Sequence, residues 1–219
     1  MGLSFVRRHC IALGLLAGLA GFLPAWAAQA PARAATTILV LGDSLSAEYG
    51  LKRGSGWVAL MEQRMAQEKI SATVINASIS GDTTSGGRSR LPALLAKHQP
   101  TVVIIELGAN DALRGLPLNM TQDNLQAMVT AAQNAKAKVL IVGMQMPPNY
   151  GQDYAARFAA VFAAVAKAKQ TALVPFLLKD VAEGPDATRL FQNDRLHPNE
   201  AAHPKILNTM WPTVKKLIA

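Results

Sequence analysis

Thr101-Val102-Val103-Ile104-Ile105-Glu106-Leu107 is the stretch that decides the fold. Its β-branched run shows no polar alternation before Glu106, and Gly108 ends it. That is the pattern of a short strand covered on both faces, as in a parallel sheet. Similar runs recur on either side: Thr36 to Leu41 (TTILVL), Ala72 to Ile75, Val139 to Met144 and Leu173 to Phe176. Segments with helical spacing lie between them. Trp57 to Lys69 carries Trp57, Leu60, Met61 and Met65 on one stripe, and Ser85 to His98 carries Leu91, Leu94 and Leu95. Thr121 is an expected N-cap for a helix through Lys136. Asp153 to Lys169 is alanine-rich and strongly helix-forming. Pro204 opens a last helix that runs to the C-terminus. Strand alternating with helix predicts a parallel sheet with helices on both faces. In such folds ligands bind in the crevice beyond the carboxyl ends of the strands, so chemistry is sought just after each strand.

The first residues follow a different logic. Arg7, Arg8 and His9 precede an apolar stretch from Ile11 to Leu23, and Ala25-Trp26-Ala27 offers a small-x-small cleavage site. That order is the order of a secretory signal peptide, and the apolar stretch is shorter than the ~20 residues that span a bilayer. The expected organisation is a cleaved signal peptide at 1–27, a flexible N-terminus at 28–35 and a single domain at 36–219. The mature chain is then periplasmic or secreted, with no stable membrane anchor. Cys10, the only cysteine, falls in the leader, so thiol catalysis and thiolate metal sites are excluded from the mature chain. The formal charge is +8; without Arg7 and Arg8, 20 basic residues face 14 acidic ones, a net +6. Lysines are scattered and not interleaved with aromatics, which argues against a nucleic-acid partner. A length of 219 residues, half of them apolar, supports one sizeable core.

Four short segments carry candidate chemistry: Gly42-Asp43-Ser44-Leu45-Ser46, Gly81-Asp82-Thr83-Thr84, Gly108-Ala109-Asn110-Asp111 and Asp194-Arg195-Leu196-His197. A serine hydroxyl is a weak nucleophile and needs a base within hydrogen-bond reach. Of His98, His197 and His203, only His197 has an acid at suitable spacing, Asp194, three residues earlier. Such an acid holds the imidazole tautomer and stabilises the imidazolium. Taken alone, this pair is weak evidence, since a lone histidine is often structural. Ester cleavage also needs donors aimed at a developing oxyanion, and the Ser44 amide, the Gly81 amide and the Asn110 side chain are the available candidates. Asp111 reads as a turn former whose side chain bonds nearby backbone, and Asp43 as a loop brace. Met144 and Met146 read as core or pocket wall. No G-x-S-x-G elbow, phosphate loop or metal-ligand spacing occurs, so no cofactor and no metal are expected.

Gly42-Asp43-Ser44-Leu45-Ser46, Gly81, Gly108-x-Asn110-Asp111 and Asp194-x-x-His197 resemble, in order, the four blocks of the SGNH (GDSL) hydrolases. The segments Asn76 to Thr83, Glu106 to Asp111 and Pro147 to Gly151 are similar to the bacterial periplasmic acyl-CoA thioesterase I, lysophospholipase L1 and arylesterase group. The resemblance implies a flavodoxin-like three-layer α/β/α sandwich with a five-stranded parallel sheet. It implies Ser44 as nucleophile, His197 as base, Asp194 as its orienting acid, and Ser44, Gly81 and Asn110 as the oxyanion hole. It also implies a shallow groove for small acyl esters, thioesters or lysophospholipids, with Ser80, Pro147 and Tyr150 close to substrate. A monomer is expected, although the sequence leaves the oligomeric state open. Relatives often carry glycine where this chain has Ala109. A carbohydrate acetylesterase on the same framework and a non-catalytic acyl-lipid binder are the alternative readings.

Overall fold

The structure, a computed structural model, describes residues 36–184 and 187–219. The expected signal peptide (1–27) and N-terminal segment (28–35) lie outside the described residues.

Five strands form one all-parallel sheet: β1 (Thr36–Gly42), β2 (Ala72–Asn76), β3 (Val102–Glu106), β4 (Lys138–Val142) and β5 (Ala172–Val174). Their order is β2-β1-β3-β4-β5; the five-stranded parallel sheet agrees with the expectation. Ile38, Leu39, Val40 and Leu41 of β1, and Val103, Ile104 and Ile105 of β3, are fully buried. These continuous apolar runs need cover on both faces, and the helices supply it. The main helices are α1 (Trp57–Gln67), α2 (Thr84–His98), α3 (Ala109–Leu113), α4 (Leu118–Asn134), α5 (Gln152–Lys169), α6 (Lys179–Ala182) and α7 (His203–Ile218). The β1-to-β2 crossover runs one way along the sheet and every later crossover runs the other way. Right-handed crossovers therefore put α1 on one face, where α7 packs on it, and α2, α4 and α5 on the other.

Opposite travel makes the boundary between β1 and β3 the topological switch point, where a crevice opens beyond the strand ends. In the β1–β3 register Gly42 lies opposite Glu106, so Asp43-Ser44 and Leu107-Gly108 leave the sheet side by side. Gly108 has φ 125°, a conformation that side-chain-bearing residues avoid, and a Cβ there would meet the Phe162 ring at 3.2 Å. The chain turns directly from this glycine into α3.

Two local expectations are corrected. Asp111 sits, with Asn110, in the one-turn helix α3 and not in a turn. Asp111 does not bond nearby backbone: its buried carboxylate accepts from the Thr84 backbone N–H at 2.9 Å, from the Thr84 hydroxyl, and from the Thr121 hydroxyl at 3.3 Å. Thr121 is accordingly inside α4, which starts three residues earlier after Pro117. Its hydroxyl serves Asp111 in place of a helix end. A carboxylate so placed ties α3, α2 and α4 together behind the crevice. Asp111→Ala leaves those buried donors without an acceptor and is expected to cost about 3 kcal/mol of stability, read from urea unfolding midpoints.

Candidate active site

Ser44 stands at the end of β1 in a tight run of turns, where Asp43 O accepts from the amides of Ser46 (3.2 Å) and Ala47 (3.0 Å). Asp43 Oδ1 accepts from Leu45 N–H at 3.0 Å, closing an Asx-type turn around Ser44. Approaching from the other side is the segment between α6 and α7. Gln192 N–H bonds His197 O at 2.8 Å, Asn199 N–H bonds Leu190 O at 2.8 Å, and Phe191 pairs with Pro198. This small hairpin presents Asp194 and His197 at its tip. Asp194 Oδ1 accepts from the amides of Leu196 (2.9 Å) and His197 (3.0 Å), and its Oδ2 meets His197 Nδ1 at 2.7 Å.

The structure therefore brings Ser44, His197 and Asp194 into one hydrogen-bonded series. A carboxylate on Nδ1 puts the ring proton there and leaves Nε2 as an acceptor. Nε2 lies 3.0 Å from Ser44 Oγ. Slight burial pushes the Asp194 carboxyl upward, but the His197 and Leu196 amides and the imidazole outweigh it and hold the pKa at about 2. Asp194 thus stays anionic over the working range, as a tautomer-setting partner must. A hydroxyl with such a neighbour can hand its proton to the ring while attacking a carbonyl.

Gly81 and Asn110 line the same cleft as Ser44 and His197. Gly81 has φ 78°, which suits glycine, and its carbonyl is pinned by Arg114 Nη2 at 2.8 Å. Asn110 Nδ2 donates to Asp43 Oδ2 at 3.0 Å. The cleft holds about 320 Å³, and its walls include Leu45, Tyr49, Leu113, Met144, Leu196 and the Ala109 methyl. Ser80 also lines it, but Pro147 and Tyr150 do not; both are exposed, Pro147 just before the short 3-10 turn after β4 and Tyr150 at its end. Met144 is cleft wall and Met146 is core. A larger groove of about 520 Å³ lies beside α1, lined by Glu48, Arg53 and Glu62, but it holds no serine–histidine pair. Among the described residues no cluster of three metal-ligating side chains occurs and no helix is long and apolar enough to cross a membrane.

Several supporting residues escaped the sequence reading. Tyr49 lays its ring 4.5 Å from the His197 ring at 42°. Gln192 Nε2 bridges Tyr49 O (2.9 Å) and Pro198 O (3.0 Å), joining the serine loop to the histidine hairpin. His203, assigned no role from sequence, is buried; its Nδ1 accepts from Trp57 N–H at 3.0 Å at the start of α1, and burial holds its pKa below the ordinary value. Only a long-range contact reveals each of these. Glu106 did leave a signal, a lone charge at the end of an apolar strand. It is fully buried, and its Oε2 accepts from Ser46 Oγ at 2.8 Å. The Ser46 hydroxyl in turn accepts from the Trp57 indole at 3.2 Å.

Burial and the adjacent Asp43 charge push Glu106 well above the ordinary carboxylate range. Asp43 is also raised by burial, to about 6, with the Leu45 amide, Glu106, His197 and Asn110 opposing. Burial thus disfavours the charged form of both carboxyls, most strongly that of Glu106.

An imidazole linking a hydroxyl to a carboxylate, at the switch point of a parallel sheet, is the equipment of an acyl-transfer hydrolase. Residues 40–204 match the GDSL-like lipase/acylhydrolase family, and the chain belongs to it. The chain is 50% identical over 185 residues to esterase TesA of Pseudomonas aeruginosa, covering 84% of this chain and 90% of that protein. It is 41% identical over 187 residues to thioesterase 1/protease 1/lysophospholipase L1 of Escherichia coli, covering 85% and 87%. A crystal structure of TesA superposes with a TM-score of 0.80 at 49% identity, covering 83% of this chain and 99% of that one. The chain is thus an acylhydrolase.

A folded-state pKa above the unfolded value means that folding takes up a proton. The stability gained from Glu106 is complete below about pH 4.5 and drains away as pH rises toward its folded-state pKa. Gln keeps the shape without the ionisation. The urea midpoint of Glu106→Gln is expected to gain on wild type as pH rises from 5 to 8, with the advantage absent at pH 4.

Proposed function

We propose that this chain is a serine esterase that hydrolyses carboxylic esters and thioesters through an acyl-enzyme on Ser44. The observation that carries the reading is the unbroken series Ser44 Oγ, His197, Asp194, with separations of 3.0 and 2.7 Å, opening onto a mostly apolar cleft. His197 takes the Ser44 proton as Oγ attacks the acyl carbon and returns it to the departing alcohol or thiol. Asp194 holds the ring in the Nδ1–H tautomer and offsets the imidazolium charge. The tetrahedral oxyanion is received by the amides of Ser44 and Gly81 and by the Asn110 side chain. Water then attacks the acyl-enzyme with His197 again as base, releasing the acid.

The cleft's chemistry supports the substrate class. Its walls carry apolar side chains, and the exposed large apolar residues among those described are Tyr49, Ile79, Tyr150 and Leu196. Tyr49 and Leu196 stand at the cleft itself. Such a mouth favours an acyl chain or an aryl ring over the hydroxyls of a sugar. The names of the relatives, esterase and thioesterase/lysophospholipase, agree with small acyl substrates. We read residues 36–219 as one hydrolase domain behind a cleaved leader, acting as a monomer in the periplasm or outside the cell. Lysophospholipids and aryl esters suit that compartment better than cytosolic acyl-CoA.

Incubation with a fluorophosphonate is expected to add one phosphonyl group, mapped by mass spectrometry to the Ser44 peptide. Ser44→Ala and His197→Ala should carry no adduct and lose about 10⁴-fold or more in kcat for p-nitrophenyl butyrate. A Ser44→Ala enzyme of full activity would sink the reading. Asp194→Asn is expected to lower kcat by about 10²- to 10⁴-fold, because Asn can donate to Nδ1 and stabilise the wrong tautomer.

A further inference from the structure

The hydrogen bond from Asn110 to Asp43 has a consequence beyond bracing a loop. An asparagine amide is nearly symmetric in shape but not in chemistry: one end donates and the other accepts. Turned one way, Asn110 offers N–H to an oxyanion in the cleft. Turned over, it presents a carbonyl oxygen, which repels that charge. Little in the shape of α3 distinguishes the two. Asp43 does: it is fully buried, its Oδ1 is engaged by the Leu45 amide at 3.0 Å, and its Oδ2 is left to accept from Asn110 Nδ2 at 3.0 Å. A carboxylate can only accept, so it admits one orientation of the amide. One Nδ2 hydrogen is then spent on Asp43, and the other is available to the cleft that Asn110 lines.

Contacts at the carboxyl end of β1 also hold Asp43 in place. Its backbone N–H meets Glu106 Oε2 at 3.4 Å. Glu106 is itself fixed by the Ser46 hydroxyl and, through it, by the Trp57 indole. The acceptor facing Asn110 is therefore held from beneath by a side-chain network reaching α1.

We propose that Asp43 is a positioning residue that locks the Asn110 side chain in its donor-forward orientation and so completes the oxyanion hole. The proposal rests on the reading of Asn110 as an oxyanion donor. Asp43 is fully buried and acts through Asn110. Replacing it with Asn leaves a side chain of the same shape that must accept from Leu45. Its remaining NH₂ then faces Asn110, rewards the flipped amide, and turns an oxygen toward the hole.

The test is a double-mutant cycle in p-nitrophenyl butyrate hydrolysis with wild type, Asp43→Asn, Asn110→Ala and the double variant, each checked for folding by circular dichroism. Asp43→Asn is expected to lower kcat by about 100-fold, in the range for loss of one oxyanion donor, with KM within about twofold. In the Asn110→Ala background the same change should cost no more than about threefold, because there is no amide left to orient. Losses that multiply would mean that Asp43 works through the Leu45 turn, and would overturn the proposal while leaving the Asn110 reading intact. An Asn110→Ala enzyme with wild-type kcat would overturn both. Should Asp43→Asn not fold, the cycle is run with Asp43→Ser, whose hydroxyl can still accept from Leu45 but is too short to reach Asn110. It is judged by the same two outcomes.

Discussion

The parallel pairing of β1 with β3, Gly42 opposite Glu106, is the constraint on which the rest of the site depends. It sits where the crossovers change direction, so nothing from the sheet fills the space beyond it. Because the two strands end in register, the residues that follow each are neighbours. Asp43 and Ser44 come from one, and Gly108, Ala109 and Asn110 from the other. Their meeting needs no long loop: one glycine with φ 125° starts α3 at once, and Asn110 reaches Asp43 within 3.0 Å.

The carboxylates of the site differ because their surroundings differ. Asp43 and Glu106 lie in the dry interior at the strand ends, where charge is disfavoured and both pKa values are raised. Asp194 is on the exposed hairpin tip, where two backbone amides and an imidazole favour the ion. Burial thus separates a pair that organises geometry from an acid that carries charge beside a base. The division follows the architecture. The serine and amide side is built into the core, while the histidine side is a surface hairpin.

That hairpin is steadied by contacts reaching far along the chain. Gln192 reaches the Tyr49 and Pro198 carbonyls, Tyr49 lies against the His197 ring, and His203 caps the amide of Trp57. Trp57 also donates its indole to Ser46, whose hydroxyl holds Glu106. The beginning of α1 therefore links the serine loop to the start of α7, although it contributes nothing to the cleft wall.

Much of this was legible in the chain itself. Apolar runs such as Thr101 to Leu107 lack alternation because both sheet faces are covered, so strand count, parallel pairing and helix placement follow from local pattern. Ser44, Asn110, Asp194 and His197 stand out in the sequence through the four blocks that resemble the SGNH hydrolases, since Asp194-x-x-His197 taken alone is a weak signal. Tertiary structure alone decided that Thr121 serves Asp111 and not a helix end, and that Asp111 binds a threonine 27 residues away. It also decided that Ser80 lines the cleft while Pro147 and Tyr150 do not. The physical reason is the same in each case. Periodicity and turn chemistry report on neighbours along the chain, whereas a hydrogen bond across 67 residues, such as Asn110 to Asp43, exists only once the register of two strands has set the distance.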